Sequence, residues 1–412
     1  MEWLPAAIIG LIILRLAAQL GLEALNRAEV RRNASQRPAA LVDVMDEPTY
    51  AKAVQYTLAK SRFGIVEIIY EVAILLVLLF SGILPWLWLK FNALAPGAAW
   101  SGALFLVGAM IFLGLPGLPL EWWAQFRLEE KFGFNKSTLG LWIADHFKSA
   151  VLGLVIGFPL MWALLALVGW VGPLWWIRGF ALLFGFQLLM MVLYPKLIMP
   201  LFNKLTPLPD GDARSRLMAL ADRTGFKAQT IEVMDGSKRS GHSNAFFTGF
   251  GRFRRIVLFD TLMTQLGQDE VEAVLAHEIG HYKRGHIPQR LLTMARMQLA
   301  AFAAIAWLSN AVWFNAAFGL PAGALAPTFL LFALLGGVLT FWCSPIGNWV
   351  SRKHEYEADA FAKEAMGGPA PLVSALRKMS QKNLSNLTPH PLYSTFHYSH
   401  PTLVERERAL QA

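Results

Sequence analysis

The chain of 412 residues has 55% hydrophobic content, 15 Trp and a formal charge of +9, and is richer in apolar residues than the roughly 45–50% of soluble domains. That balance excludes an ordinary soluble domain, and because no aromatic-basic recognition pattern accompanies the charge, nucleic acid is set aside as its reason. The single cysteine, Cys343, excludes an intramolecular disulfide and a cysteine-held zinc site, so any metal must sit among histidines and carboxylates.

Apolar windows approaching the roughly 20 residues that cross a bilayer recur at 3–22, 68–89, 101–122, 149–170, 175–199, 293–317 and 324–345, predicting seven spans. The weakest boundaries are the start of the second, at Glu67 and Glu71, and the break between the fourth and fifth, at Gly172-Pro173. The first window follows Met1-Glu2-Trp3, which lacks the basic stretch of a signal peptide, so it is read as a membrane helix. Basic residues alternate along the connections. Arg27, Arg31, Arg32, Arg37, Lys52, Lys60 and Arg62 fall between the first two spans, Lys90 alone in the next connection, and Arg127, Lys131, Lys136 and Lys148 after the third span. The positive-inside rule then predicts an outside N-terminus, with 23–67, 123–148, 200–290 and 346–412 on the cytoplasmic side.

Between the fifth and sixth spans lies the one polar stretch long enough to fold outside the bilayer. Asp212 to Thr224 has helical spacing and stops at Gly225, a C-cap signal. Thr230–Met234, Asn244–Thr248 and Arg255–Phe259 read as three short strands, Leu262 onward as helix, and Gln268-Asp269-Glu270 as the start of the next helix. That helix carries His277-Glu278-Ile279-Gly280-His281. Residues four apart share a helical face, so both imidazoles can reach one metal ion and Glu278 its bound water. A small sheet beside such a helix is the zincin protease layout, in which an edge strand pairs with extended substrate; a sheet that merely packs fits the spacing equally well.

After the last span, 348–367 reads as a helix free of Pro until Gly367, followed by a polar tail with bends at His390-Pro391 and His400-Pro401. A catalytic zinc takes three protein ligands and leaves a place for water. The best third donor lies in Ser351–Ala362, where Glu355 and Asp359 share a face: Glu355 as ligand, Asp359 orienting a histidine through its other ring nitrogen. Glu357 points elsewhere on the helix and is the poorer ligand. No internal repeat or long linker appears. The chain divides into 1–199 with five spans, 200–290 with the HExxH helix, 291–345 with two spans, and 346–412 completing the zinc site, expected to form one integrated body.

The stretches HSNAFFTGFG, LAHEIGHYKRGH, SRKHEYEADAFA and YSTFHYSHPTLVER, with FGFNKST at 132–138, resemble the integral-membrane type I CAAX prenyl endopeptidases over most of the chain. The resemblance implies a mainly α, polytopic membrane protein with about seven transmembrane helices ringing a water-filled chamber, and a zincin-like α/β element on the cytoplasmic side. It implies one Zn²⁺ per chain held by His277, His281 and Glu355, with Asp359 supporting a ligand. It further implies His400 as oxyanion donor, Arg406 as a basic partner that holds the local network, and Asn244 and Ala245 as the substrate-pairing edge. The remaining histidines, His242, His286, His354, His390, His397 and the interfacial His146, are read as capping, packing or solvent-facing groups.

The expected activity is endoproteolysis of a peptide or prenylated peptide in the bilayer, Glu278 acting as general base, without nucleic acid as partner; oligomeric state is not readable. Two other readings stand beside it. One is a quality-control protease for misfolded or membrane-inserted proteins. The other is a transporter or non-catalytic metal-binding protein, against which speaks the lack of repeated halves. The Ala- and Leu-rich composition and the lack of a targeting signal lean toward a bacterial inner membrane.

Overall fold

The computed structural model describes residues 3–35, 37–38, 41–226, 230–248 and 255–412, with the backbone alone for 247 and 248. Among the described residues, six helical runs are long and apolar enough to cross a membrane: Trp3–Arg32, Glu47–Phe80, Ala99–Phe132, Leu139–Phe202, His286–Asn310 and Leu325–Ala365. The 64-residue run is not one span. At Gly172 φ reaches +68°, a left-handed conformation that glycine adopts without strain, and Pro173 follows. Leu164, eight residues before the break, packs with Trp175 just after it, and a Cβ added at Gly179 would stand 2.8 Å from Leu164. The run therefore folds back as a hairpin of two membrane helices, the pair expected on either side of Gly172-Pro173.

We label α1 (Trp3–Arg32), α2 (Glu47–Phe80), α3 (Ile83–Asn92), α4 (Ala99–Gly114), α5 (Leu139–Leu152), α6 (Phe158–Val171) and α7 (Trp175–Leu193). The second apolar window is displaced from its helix. Its hydrophobicity runs on to residue 89, but Gly82, at φ +85°, ends α2 and starts α3. At its other end α2 begins at Glu47, capped by Asp46 and opened by Pro48, far outside the apolar stretch. Those polar turns form because Tyr50, Ala53, Val54 and Tyr56 bury against Leu128, Phe132, Phe134, Leu384 and Leu403. The basic segments after the first and third spans, together with the C-terminal tail, thus meet at one end of the molecule.

In their most apolar windows the spanning helices bury only 6–28% of residues, less than the wide inward stripe of a helix packed on a common core. They touch along local seams, one joining α1, α2, α3 and α4, the other at the α6–α7 hairpin. Most of their apolar surface is left uncovered by the rest of the protein.

Outside the spans, β1 (Leu205–Pro207), α8 (Asp212–Arg223), β2 (Thr230–Met234), β3 (Ala245–Thr248), β4 (Arg255–Phe259) and α9 (Asp260–Gln265) follow in order. The sheet order is β1-β2-β4-β3, with β2 parallel to β4 and the outer strands antiparallel to their neighbours. The three expected strands are present within a residue of their expected ends. β1 was not expected, because three residues ending in proline carry no alternating pattern. Then come α10 (Gln268–Lys283), α11 (His286–Asn310), α12 (Leu325–Thr340), α13 (Ser344–Ala365), α14 (Ala370–Lys382), α15 (Pro391–His397) and α16 (Leu403–Gln411). One core joins Leu217 and Leu220 of α8, Ile231, Ile256 and Leu258 of the sheet, Val271, Leu275 and Ile279 of α10, Ala362 of α13, Leu372 of α14 and Leu410 of α16. Segments 200–290 and 346–412 are thus packed as one unit.

Candidate metalloprotease site

The acidic first turn of α10 is anchored before the motif begins. Glu270 accepts hydrogen bonds from the Gly267 N–H at 2.7 Å, Lys378 Nζ at 2.8 Å and Ser374 Oγ at 2.5 Å, which closes the helix start and ties it to α14. Every residue of α10 from Glu270 to Gly280 except Glu278 is buried, so its rotation about its axis is fixed and the histidines have one direction to face. α13, continuing from the last span, lies against it. A Cβ at Gly280 would come within 3.0 Å of the Ala358 Cα and carbonyl oxygen. That glycine therefore permits the close approach that brings Glu355 to the histidines.

The ligating atoms of His277, His281 and Glu355 all lie within 4.8 Å of one another. The two imidazole Nε2 atoms are 3.3 Å apart, and each is 3.3 Å from a different Glu355 oxygen. Three groups with lone pairs converge with no hydrogen bridging them well. Glu355 is 1% exposed, and its Oε2 is buried without a hydrogen-bond partner among the described residues. Such a carboxylate oxygen costs stability unless a cation satisfies it, and the donor set of two imidazoles and one carboxylate fits a divalent metal ion.

Supporting groups surround this centre. Asp359 stands 2.8 Å from His277 Nδ1 and accepts from Arg406 Nε at 2.8 Å and Nη2 at 2.5 Å. Arg406 Nη2 also lies 3.3 Å from His277 Nδ1, but both are donors when Nε2 binds a metal. The shorter Asp359 contact is therefore the real hydrogen bond. Glu278 extends from the same turn as His277. Although the residue as a whole is partly exposed, loss of water around its carboxyl within the site, opposed by His277 and reinforced by Glu355, pushes it up to about 6, a value suited to exchanging protons near neutrality.

The C-terminal segment is held in place by α13 itself. Arg352 donates to the Ser394 and Tyr398 carbonyls at 3.2 and 2.9 Å, and Asn348 to those of Thr395 and Phe396 at 3.2 and 2.7 Å. Thr402 and Glu405 form the capping box that starts α16 and places Arg406 inward. His400, between these anchors, has Nε2 3.4 Å from Glu355 Oε1 and Nδ1 2.9 Å from Ser399 Oγ. It opens, with Arg406 and Tyr398, onto a cavity of about 670 Å³ walled by Glu23, Ser61 and Glu67 of α1 and α2.

β3 pairs with β4 alone among the described residues. The Phe259 N–H donates to the Asn244 carbonyl, so in this antiparallel ladder the backbone of Ala245 points to the unpaired side. The Asn244 side chain accepts from the Ala245 N–H at 2.9 Å. Asn244 and Ala245 thus lie at the outer edge of the described sheet.

His286, read with the other histidines as a capping, packing or solvent-facing group, is packed and 1% exposed, and sequence reasoning missed what it and Glu357 touch: its Nδ1 is 3.0 Å from His281 Nδ1, and its Nε2 is 2.9 Å from Glu357 Oε2. Glu357 does point away from the ligand atoms, yet it reaches His281 through this ring. Gly285, where φ is +72°, is visible in the sequence as a helix restart, but the contact it permits is not. Of the others, His242 stacks on Phe134 and contacts Glu129, His146 contacts Glu121, and His390 caps α15.

Comparisons place this geometry. Residues 26–204 match the family described as CAAX prenyl protease N-terminal, five membrane helices, and residues 207–412 match peptidase family M48. The chain is 39% identical over 402 residues to CAAX prenyl protease 1 of Saccharomyces cerevisiae, covering 90% of this chain and 88% of the yeast one. It is 34% identical to the human CAAX prenyl protease 1 homolog, covering 91% and 88%. The crystal structure of S. mikatae Ste24p superposes with a TM-score of 0.90 at 36% identity, covering 100% of this chain and 99% of that one. The chain belongs to the CAAX prenyl protease family of M48 peptidases and is a multi-pass integral-membrane metalloprotease.

Proposed function

We propose that the metal is zinc, one ion per chain held by His277, His281 and Glu355, and that the protein removes the last three residues of prenylated CAAX proteins. The observation that carries the zinc reading is the donor set itself, two imidazole Nε2 atoms 3.3 Å apart beside a buried carboxylate, which would suit a catalytic zinc. The substrate reading rests on the relatives, whose names carry that activity over nearly their whole length.

When bound, the ion supplies a Lewis acid that polarises a carbonyl and acidifies water. Glu278 takes a proton from the attacking water and returns it to the leaving amine. His400 Nδ1 lies 2.9 Å from the Ser399 hydroxyl; with that hydroxyl donating, the ring carries its proton on Nε2 and hydrogen-bonds the carbonyl oxygen as negative charge develops there. Asp359, locked by Arg406, keeps His277 in the tautomer that presents Nε2. Extended substrate pairs with the outward backbone of Ala245 at the β3 edge, displacing the Asn244 amide. The basic segments are proposed to face the cytoplasm, on the positive-inside pattern; the composition suggests a bacterial inner membrane.

The test is cleavage, by protein in liposomes, of a farnesylated CAAX peptide beside the same peptide without the lipid. Release of the terminal tripeptide from the farnesylated peptide alone supports the proposal. Cleavage of unprenylated, unfolded polypeptides with no tripeptide release favours the quality-control reading.

A further inference from the structure

We propose that His286 and Glu357 are positioning residues that hold the ligand His281 in its metal-binding tautomer, a second support built differently from the Asp359–Arg406 pair behind His277. The inference rests on the reading of His281 as a ligand through Nε2. If Nε2 gives its lone pair to a metal, the neutral ring must carry its proton on Nδ1. That Nδ1 faces His286 Nδ1 at 3.0 Å, so His286 must accept there, and its own proton must sit on Nε2. Nε2 is 2.9 Å from Glu357 Oε2, an acceptor in the right place. One proton arrangement satisfies every contact: His281 Nδ1–H donates to His286, and His286 Nε2–H donates to Glu357.

The surroundings prevent the middle ring from turning away. His286 is 1% exposed, and the His354 ring stacks on it at 4.0 Å with an 11° interplanar angle. His354 is held in turn by Gln289 at 3.2 Å. The left-handed Gly285 turn is what brings a histidine five residues beyond His281 back against it. Glu357 is different in kind: its side chain is 38% exposed and also lies 3.9 Å from Lys353, so an ordinary surface pair is the competing account of why it is there. Partners behind metal-bound histidines commonly contribute 10–100-fold to metal affinity.

The test measures zinc affinity by chelator competition on metal-free detergent-solubilised protein, for wild type, Glu357→Ala, Glu357→Gln and Lys353→Ala. The expected result is a dissociation constant about tenfold or more higher in Glu357→Ala, substantially recovered in Glu357→Gln because an amide oxygen still accepts from His286. Lys353→Ala should match wild type, since it removes the surface pair and leaves the acceptor. Glu357→Gln keeps an acceptor for the buried His286 and should melt with the wild type, whereas Glu357→Ala leaves that N–H unpaired and should melt somewhat lower, so each affinity is measured well below the variant's own apo melting temperature. Wild-type affinity in Glu357→Ala, or equal weakening in Glu357→Gln and Lys353→Ala, would overturn the proposal. Failure of the wild type itself to bind zinc would instead sink the ligand assignment on which it rests.

Discussion

The two halves of the site are built to opposite specifications. On the α10–α13 side, His277, Glu355 and Asp359 are 7, 1 and 1% exposed, helix axes approach closely at Gly280, and each histidine has a fixed hydrogen-bond partner behind it. On the other side, His400 has a side chain that is 62% exposed, and Asn244 lies exposed at a sheet edge. The contrast teaches how a peptidase reconciles two demands. Ligands must be rigid and dry to hold an ion, whereas the groups that meet the substrate must remain open until it arrives.

Removing a ligand should break the first half outright. His277→Ala and Glu355→Ala are expected to lose the metal and with it all cleavage above background, read by metal content after gel filtration together with peptide hydrolysis. Glu278→Gln should separate the two properties, keeping the metal while kcat falls by about 10²–10⁴, the range of a general base. The wild-type acid limb follows from the same group. A carboxyl raised by burial to about 6 loses its base form as pH falls through that value, and a bound cation can only move the transition lower. Activity should therefore decline only below about pH 6, and a midpoint well above it in kcat/KM would assign the acid limb to a group other than Glu278.

His400→Ala probes the open half. It should lower kcat by roughly 10²–10³, as loss of one oxyanion donor does, without altering metal affinity; an equal fall in metal content would make it a ligand support instead. Gly280→Ala forces the new methyl toward the Ala358 backbone and should cost about 1–3 kcal/mol, seen as faster thermal inactivation. The smallest catalytic effect is expected from Ala245→Pro, a buried position read on folded protein only, which removes an outward N–H while sparing the bond that the Phe259 N–H donates to the Asn244 carbonyl. The loss of one hydrogen bond at about 1 kcal/mol should appear as a several-fold rise in KM with kcat little changed.

The comparison also explains what could be read from the residues in advance. His277, Glu278 and His281 lie within five positions on one helix, and Glu355 and Asp359 within five on another, so helical periodicity alone puts each set on a common face. The three longer strands were legible because their apolar residues are bounded by turn-forming ones. His400 and Arg406 were not, because their place depends on Arg352 and Asn348 catching backbone carbonyls more than forty residues away. The relay from Glu357 through His286 was missed for a related reason: it crosses from α13 to the start of α11, and no spacing within either element encodes that contact. Gly82 ended α2 inside an apolar window because hydrophobicity reports where lipid is tolerated, while backbone conformation decides where a helix stops.

The most direct test of the account is hydrolysis of a farnesylated CAAX peptide by protein stripped with a chelator, dialysed, and titrated with zinc. The account predicts that cleavage vanishes on stripping and returns linearly, reaching a plateau at one zinc per chain. Undiminished cleavage by demonstrably metal-free protein would contradict it.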